Sequence, residues 1–286
     1  MKRLLALSLL ALSACKDDPE QIPAYLHIEP FVVNEDGGAA WQEITEGWLY
    51  VNGEFLGAYH LPANAPILAE GDSEILVYPG VKENGIISTP NIYPFLTRYS
   101  VRKNLTPGET VLIQPQTAYD NAAVFPWALN RTSFDGGSAI ALENRDSDPD
   151  NTFKISTEGA FSGNSVRLEV DTAHSLMQVA TEAVALPATY ENQAWLELNY
   201  ACDMPFTMYL IGQSGGLNEI EQPVYAFTST DGNWNKIYIN LADFLISLNQ
   251  EKYRLFFYVS LPRNDQNQFI QNTGVVRLDN IRLMHF

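Results

Sequence analysis

The sequence predicts an all-β protein: a small β-sandwich followed by a larger antiparallel jelly roll. Three observations carry this. Apolar residues alternate with polar ones over runs of five to eight far more often than they recur at helical spacing. The runs close on Gly, Pro, Asn or Asp, the residues that turn a chain sharply. Finally, the 286 residues allow two domains of ordinary size after a short leader.

The leader comes first. Lys2 and Arg3 precede an apolar run over 4–14 that ends in small residues, the layout of a secretory signal. As a helix this run would cross only about half of a ~30 Å hydrocarbon core, so it does not read as a membrane span. The run stops at Cys15, and Lys16-Asp17-Asp18-Pro19-Glu20 follows at once, giving a charged tether over 15–23. The net charge is −17, and loss of Lys2 and Arg3 with the signal makes the chain more acidic still. No cluster of Lys and Arg follows, so binding to nucleic acid through its phosphates is not expected.

The first unit, 24–118, has its clearest landmark in "WLYVNGEFLGAY". Leu49 and Val51 alternate with Trp48 and Tyr50 ahead of Asn52-Gly53, a pair suited to the positive φ angles of a tight hairpin turn. A second strand, "EILVYPG", follows Glu70-Gly71-Asp72, and "NLTPGETVLIQP" supplies a turn at Thr106-Pro107-Gly108 and a closing strand. The boundary should fall near 116–122. In the second unit, 119–286, strands are expected at 139–143, 152–156, 165–171, 194–200, 205–212, 236–241, 253–261 and 274–283. Ala242–Leu248 reads as one or two helical turns. Eight antiparallel strands in such a length make a jelly roll the natural arrangement.

Residues two apart on a strand share a face. In "AWLELNY", Leu196, Leu198 and Tyr200 take one face and Trp195, Glu197 and Asn199 the other. Likewise Tyr209 lies between Thr207 and Ile211, Tyr238 beside Lys236 and Asn240, and Tyr258 beside Arg254, Phe256 and Ser260. Rings mixed with amides and charges suit a sugar-binding platform, with rings stacking on C–H faces and polar groups meeting hydroxyls. Cross-strand aromatic pairing and a protein-contact surface are the alternatives.

Catalytic signatures are missing from the sequence. His27, His60, His174 and His285 are scattered, and there is no His-Glu-x-x-His, Gly-x-Ser-x-Gly or phosphate-cradling loop, so an enzyme is not expected. "DSDPDN" over 146–151 has the alternate acids of a calcium loop without its central Gly, and reads as an acidic turn.

Several stretches resemble known families. Leu12-Ser13-Ala14-Cys15 resembles the bacterial lipobox, which implies acylation of Cys15; two or more acyl chains anchor a protein stably. Cys202 is then the only remaining thiol, leaving no intramolecular disulfide. The acidic residues after Cys15 resemble the signal that sends Bacteroidetes lipoproteins to the outer face of the outer membrane. The segment 47–81 resembles PEGA-type small sandwiches of surface lipoproteins, although Glu70-Gly71-Asp72 stands where those have Pro-Gly. "FSGNSVRLEV", "GNWNKIYINL" and "VVRLDNIRL" resemble strands of galactose-binding-like and carbohydrate-binding sandwiches. That resemblance implies a structural calcium at Asp279, with Asp135 or Glu143 as partner; a turn cap or a pairing with Arg277 or Arg282 is the alternative for Asp279. Asp171-Thr172-Ala173 resembles an O-glycosylation motif of exported Bacteroidetes proteins, with Thr172 as acceptor.

The resulting expectation is a lipid-anchored, non-catalytic outer-membrane protein facing the cell exterior. It would bind a glycan through Trp195, Glu197, Asn199, Tyr209, Tyr238, Asn240 and Tyr258. The alternative is an accessory subunit of an outer-membrane secretion or nutrient-uptake complex.

Overall fold

The computed structural model describes residues 20–34, 42–215 and 219–286. Cys15 and the leader lie outside the described residues. The first unit contains β1 (Ala24–Ile28), β2 (Val32–Val33), β3 (Glu46–Val51), β4 (Glu54–His60), β5 (Ala63–Ile67), β6 (Gly71–Lys82), β7 (Pro90–Ile92), β8 (Tyr99–Leu105), β9 (Thr110–Ile113) and β10 (Gln116–Thr117). The long β6 pairs with β3 along one edge and with β8 and β7 along the other. A three-stranded sheet in the order β5-β1-β9 faces it. Leu49, Ile75 and Val77 from one sheet meet Leu26, Ile28 and Ile67 from the other in a single apolar core.

The turn chemistry follows the sequence. Asn52 and Gly53 have φ of 51° and 84°, and Val51 pairs with Glu54 across the hairpin. The Asn52 side chain also accepts the Glu74 N–H at 2.9 Å, tying the turn to β6. At the other landmark Gly108 has φ of 82°, and the Glu109 N–H donates to Thr106 O at 3.0 Å.

The second unit contains β11 (Leu142–Asn144), β12 (Lys154–Ser156), β13 (Ser165–Asp171), β14 (Leu176–Thr181), β15 (Ala194–Cys202), β16 (Phe206–Gln213), β17 (Ile220–Phe227), β18 (Asn235–Asn240), β19 (Lys252–Ser260) and β20 (Thr273–His285). They form two antiparallel five-stranded sheets, β11-β14-β19-β16-β17 and β12-β13-β20-β15-β18, packed as a jelly-roll sandwich. Val166, Leu196, Leu198 and Leu278 face Val179, Met208, Leu210 and Phe257 in its core. Helix α1 (Ala242–Leu248) buries Ala242, Leu245 and Leu248 and ends on Asn249 in the left-handed conformation, a common C-terminal stop. Among the described residues, no helix is long and apolar enough to cross a membrane.

All eight strands expected in the second unit are present, β13 with the expected ends and the other seven with shifted ones, and β14 and β17 are added. The two units touch through a third apolar cluster: Val81, Tyr93, Phe95 and Leu96 from the first meet Trp195, Tyr238 and Met284 from the second.

Candidate functional site

The outer face of β18-β15-β20 reads across the sheet in rows. Tyr238, Glu197 and Arg282 form one row, and Lys236, Asn199 and Asp279 the next. The first unit lies over the first of these rows. The Tyr93 hydroxyl donates to Glu197 Oε1 at 2.8 Å, Gln42 Nε2 to Oε2 at 3.1 Å and Tyr119 to Oε2 at 3.0 Å. Lys236 Nζ donates to the same carboxylate at 3.0 Å, and Arg282 Nη1 reaches Tyr119 at 3.0 Å. Burial alone would raise the Glu197 carboxyl. The charges of Lys236 and Arg282, with hydrogen bonds from Lys236 and Tyr93, instead hold it below the usual carboxylate range. For Lys236 burial outweighs the pull of Glu197, and the ammonium is drawn down to about 8.

These contacts correct the expected platform. Trp195 is 1% exposed and Tyr238 2%, both packed edge-on against Tyr93 at 5.5 and 5.0 Å between ring centroids. Glu197 is fully buried in the hub just described. Asn240 donates to Glu83 at 2.9 Å, while the Tyr238 hydroxyl donates to Gln42 and accepts the Glu43 N–H, each at 2.8 Å. These residues fasten the two units together; at the edge of the contact Asn199 lines one cleft and Tyr238 an adjoining one. Their alternation was read correctly as outward from the sandwich. What a strand pattern cannot show is that the first unit lies on those side chains, and so Tyr93, Gln42 and Tyr119 carry no signal in the sequence.

Tyr209 and Tyr258 belong to the opposite sheet, on β16 and β19, so the seven expected residues do not form one surface. Both rings are half-buried, 6.2 Å apart, on the outer face of the sheet. Register places Gln178 and Thr207 on either side of Tyr258, and Phe256 beside Tyr209. One end of this platform is bounded by ions. Arg145 grips Glu219 with both terminal nitrogens, at 3.2 and 2.6 Å, and Arg254 donates to Glu143 and to Thr181 O. The bond from Arg254 holds Glu143 below the ordinary carboxylate range.

Glu143 is therefore spent on Arg254 and does not reach Asp279, whereas Asp135 does lie near it. Asp279 is 1% exposed, accepts from Ser165 Oγ at 2.8 Å and from the Asn280 N–H at 2.7 Å, and is pushed up to about 7 by burial, with Asp135 adding to the rise. Asp135 accepts the Asn164 N–H at 2.6 Å, in a space that exists because residue 163 is glycine: a Cβ there would lie 1.9 Å from Asp135 Oδ1. The β15–β20 register shifts between Glu197 and Asn199, and Asn280, at φ 48°, has its side-chain Oδ1 buried without a partner. Two neighbouring carboxylates are the donor type that a hard cation takes. Among the described residues no three His, Cys, Asp or Glu side chains converge as a metal cluster.

The remaining expected features sit on the surface. In the acidic turn, Asp146 and Asp148 each accept the N–H two residues on, and Asp148 meets His174 Nδ1 at 2.6 Å. Thr172 is exposed in the β13–β14 turn, where Asp171 accepts the N–H groups of Ala173 and His174, each at 2.7 Å.

No protein-family profile matches the chain, and no curated protein sequence matches it. Solved structures overlap part of it. The family 11 carbohydrate-binding module from Clostridium thermocellum, in complex with a β-1,3-1,4-mixed-linked tetrasaccharide, is 16% identical, covers 52% of this chain and 91% of its own, and gives a TM-score of 0.36. The CBM22-2 xylan-binding domain from Paenibacillus barcinonensis Xyn10C is 13% identical, covers 56% and 100%, and scores 0.40. The enzymatically active domain of bacteriophage CBA120 tailspike protein 4 is 10% identical and scores 0.41, covering 62% of this chain and 25% of its own. Likenesses this distant transfer no binding residue to this chain.

Proposed function

We propose that this chain is a non-catalytic, lipid-anchored binding protein of a Bacteroidetes-type outer membrane, displayed outward on acylated Cys15. It holds a glycan on the outer face of β14-β19-β16. The observation that carries the reading is the pair Tyr209 and Tyr258, half-buried rings 6.2 Å apart with Thr207 and Gln178 beside them, on the sheet face that the first unit leaves free. Rings of this kind stack on the C–H faces of sugars, and flanking hydroxyl and amide groups satisfy the sugar hydroxyls. Calcium at Asp135 and Asp279 would clip the 161–165 loop to β20 and relieve the repulsion between two neighbouring carboxylates. Thr172 is the proposed O-glycan acceptor. The test is binding of the mature protein to an array of bacterial, plant and host glycans; a hit lost on Tyr209→Ala supports the reading, and an empty array contradicts it.

A second reading, an accessory subunit of an outer-membrane assembly, is favoured by one feature. Tyr25 and Leu112, 40% and 59% exposed, stand on the outer face of β1 and β9 in the unit nearest the anchor. Purification from the host envelope in mild detergent discriminates: a stoichiometric protein partner supports this reading, and recovery of the protein alone supports the first.

A further inference from the structure

At one edge of the buried hub, the two units leave a cleft. Two adjoining cavities of about 310 and 320 Å³ share Glu43, Asn235 and Lys236. The smaller is lined by Phe161 and Trp234, by Gln42 and Glu43 of the first unit, and by Asn199 and Lys236 on the outer face of β15 and β18. Its volume lies at the low end of small-molecule sites, enough for one ring rather than a chain.

Three features of this cleft point to a ligand. Asn199 is 3% exposed, and its Oδ1 is buried without a partner. A buried amide oxygen of this kind destabilises the fold unless something pairs with it. The half-buried Trp234 is held in place: its indole N–H donates to Gly159 O at 3.1 Å and its ring meets Phe161 edge-on at 5.4 Å. The Lys236 ammonium is already matched by Glu197 at 3.0 Å, so the floor offers polarity without a bare charge. A fixed aromatic ring, amides and an exposed carboxylate, with the one cation neutralised, suit an uncharged ligand having a C–H face and several hydroxyls.

We propose that this cleft is a second binding site, separate from the Tyr209 and Tyr258 face, which takes one neutral sugar ring. The ring lies against Trp234, and its hydroxyls meet the Asn199 and Asn235 amides and the Glu43 carboxylate. The ligand class rests on the reading of the protein as a glycan binder; the place rests on the cavity. Because Gln42 and Glu43 come from one unit and the other residues from the second, the site exists only while the units are docked.

The experiment is calorimetric titration of the whole mature protein in detergent with glucose, galactose, mannose and xylose, each alone. At least one sugar should bind wild type and the Tyr209→Ala/Tyr258→Ala variant with equal Kd. Trp234→Ala should weaken it at least tenfold. Glu43→Ala, which keeps the backbone N–H bonded to Tyr238, should weaken it at least threefold with Tm unchanged. Binding of none of the four to wild type overturns the proposal, as does binding untouched by Trp234→Ala and Glu43→Ala. Sugar binding lost only in the tyrosine variant overturns it too, while leaving the sheet-face reading intact.

Discussion

The Tyr93 hydroxyl of the first unit donates to the Glu197 carboxylate of the second at 2.8 Å, in a contact where both residues are fully buried. Four other polar groups gather on or near that carboxylate, so the junction between the units is built around a charge. Removing one partner of a buried ion pair typically costs about 3–5 kcal/mol, because the other charge is left uncompensated. Glu197→Ala should therefore destabilise the protein by about that amount in urea titration, and Glu197→Met/Lys236→Met by clearly less. Equal losses in the single and double variants would mean that the pair is not coupled.

Trp195 joins the apolar part of the same junction. Truncating a buried tryptophan costs about 3–5 kcal/mol, and here the loss falls on the contact between units and not on either core. Trp195→Ala should split thermal unfolding into two calorimetric transitions where wild type shows one. A single transition, merely lowered, would place Trp195 within the cooperative core of the second unit.

Acid should loosen the junction. The Glu197 carboxyl is held below its ordinary value of 4.5 in the folded protein, so the unfolded chain takes up the proton first as pH falls. The stabilisation is fully present above about 4.5 and is lost as pH drops through the folded value. Wild type should lose stability faster than Glu197→Gln below pH 4.5, as read from urea midpoints. Parallel pH profiles for the two would contradict the shift.

Calcium should stabilise the protein through Asp135 and Asp279. A ligand that binds only the folded state adds about 2.7 kcal/mol at a hundred times its Kd, so Tm should rise on adding calcium chloride and fall on adding a chelator. Asp135→Asn should abolish the response while altering neither sheet. A rise that persists in this variant would move the site elsewhere.

The fold was legible where one face of a strand is wet. β13 and α1 were bounded to the residue, and the Asn52-Gly53 hairpin followed from the φ angles such a turn requires. β14 escaped because Val179, Ala180 and Thr181 are all buried, which erases the alternation that marks a strand. β17 escaped because Pro223 interrupts it; proline is tolerated there since β17 is an edge strand, opposite an irregularity at Met208 and Tyr209. The candidate site was legible as a set of outward residues but not as a place. Sequence alternation gives the face of a strand, whereas which sheet it joins and what lies on that sheet come from long-range pairing. That is why Trp195 and Tyr209, on equivalent faces of their strands, have different surroundings.

The most direct measurement is the affinity of the mature protein for its array-selected glycan, compared with Tyr209→Ala and Tyr258→Ala. Each variant should bind at least tenfold more weakly, about 1.4 kcal/mol, with Tm within a degree or two because neither ring lies in the sandwich core. Undiminished affinity in both variants would contradict the sheet-face site.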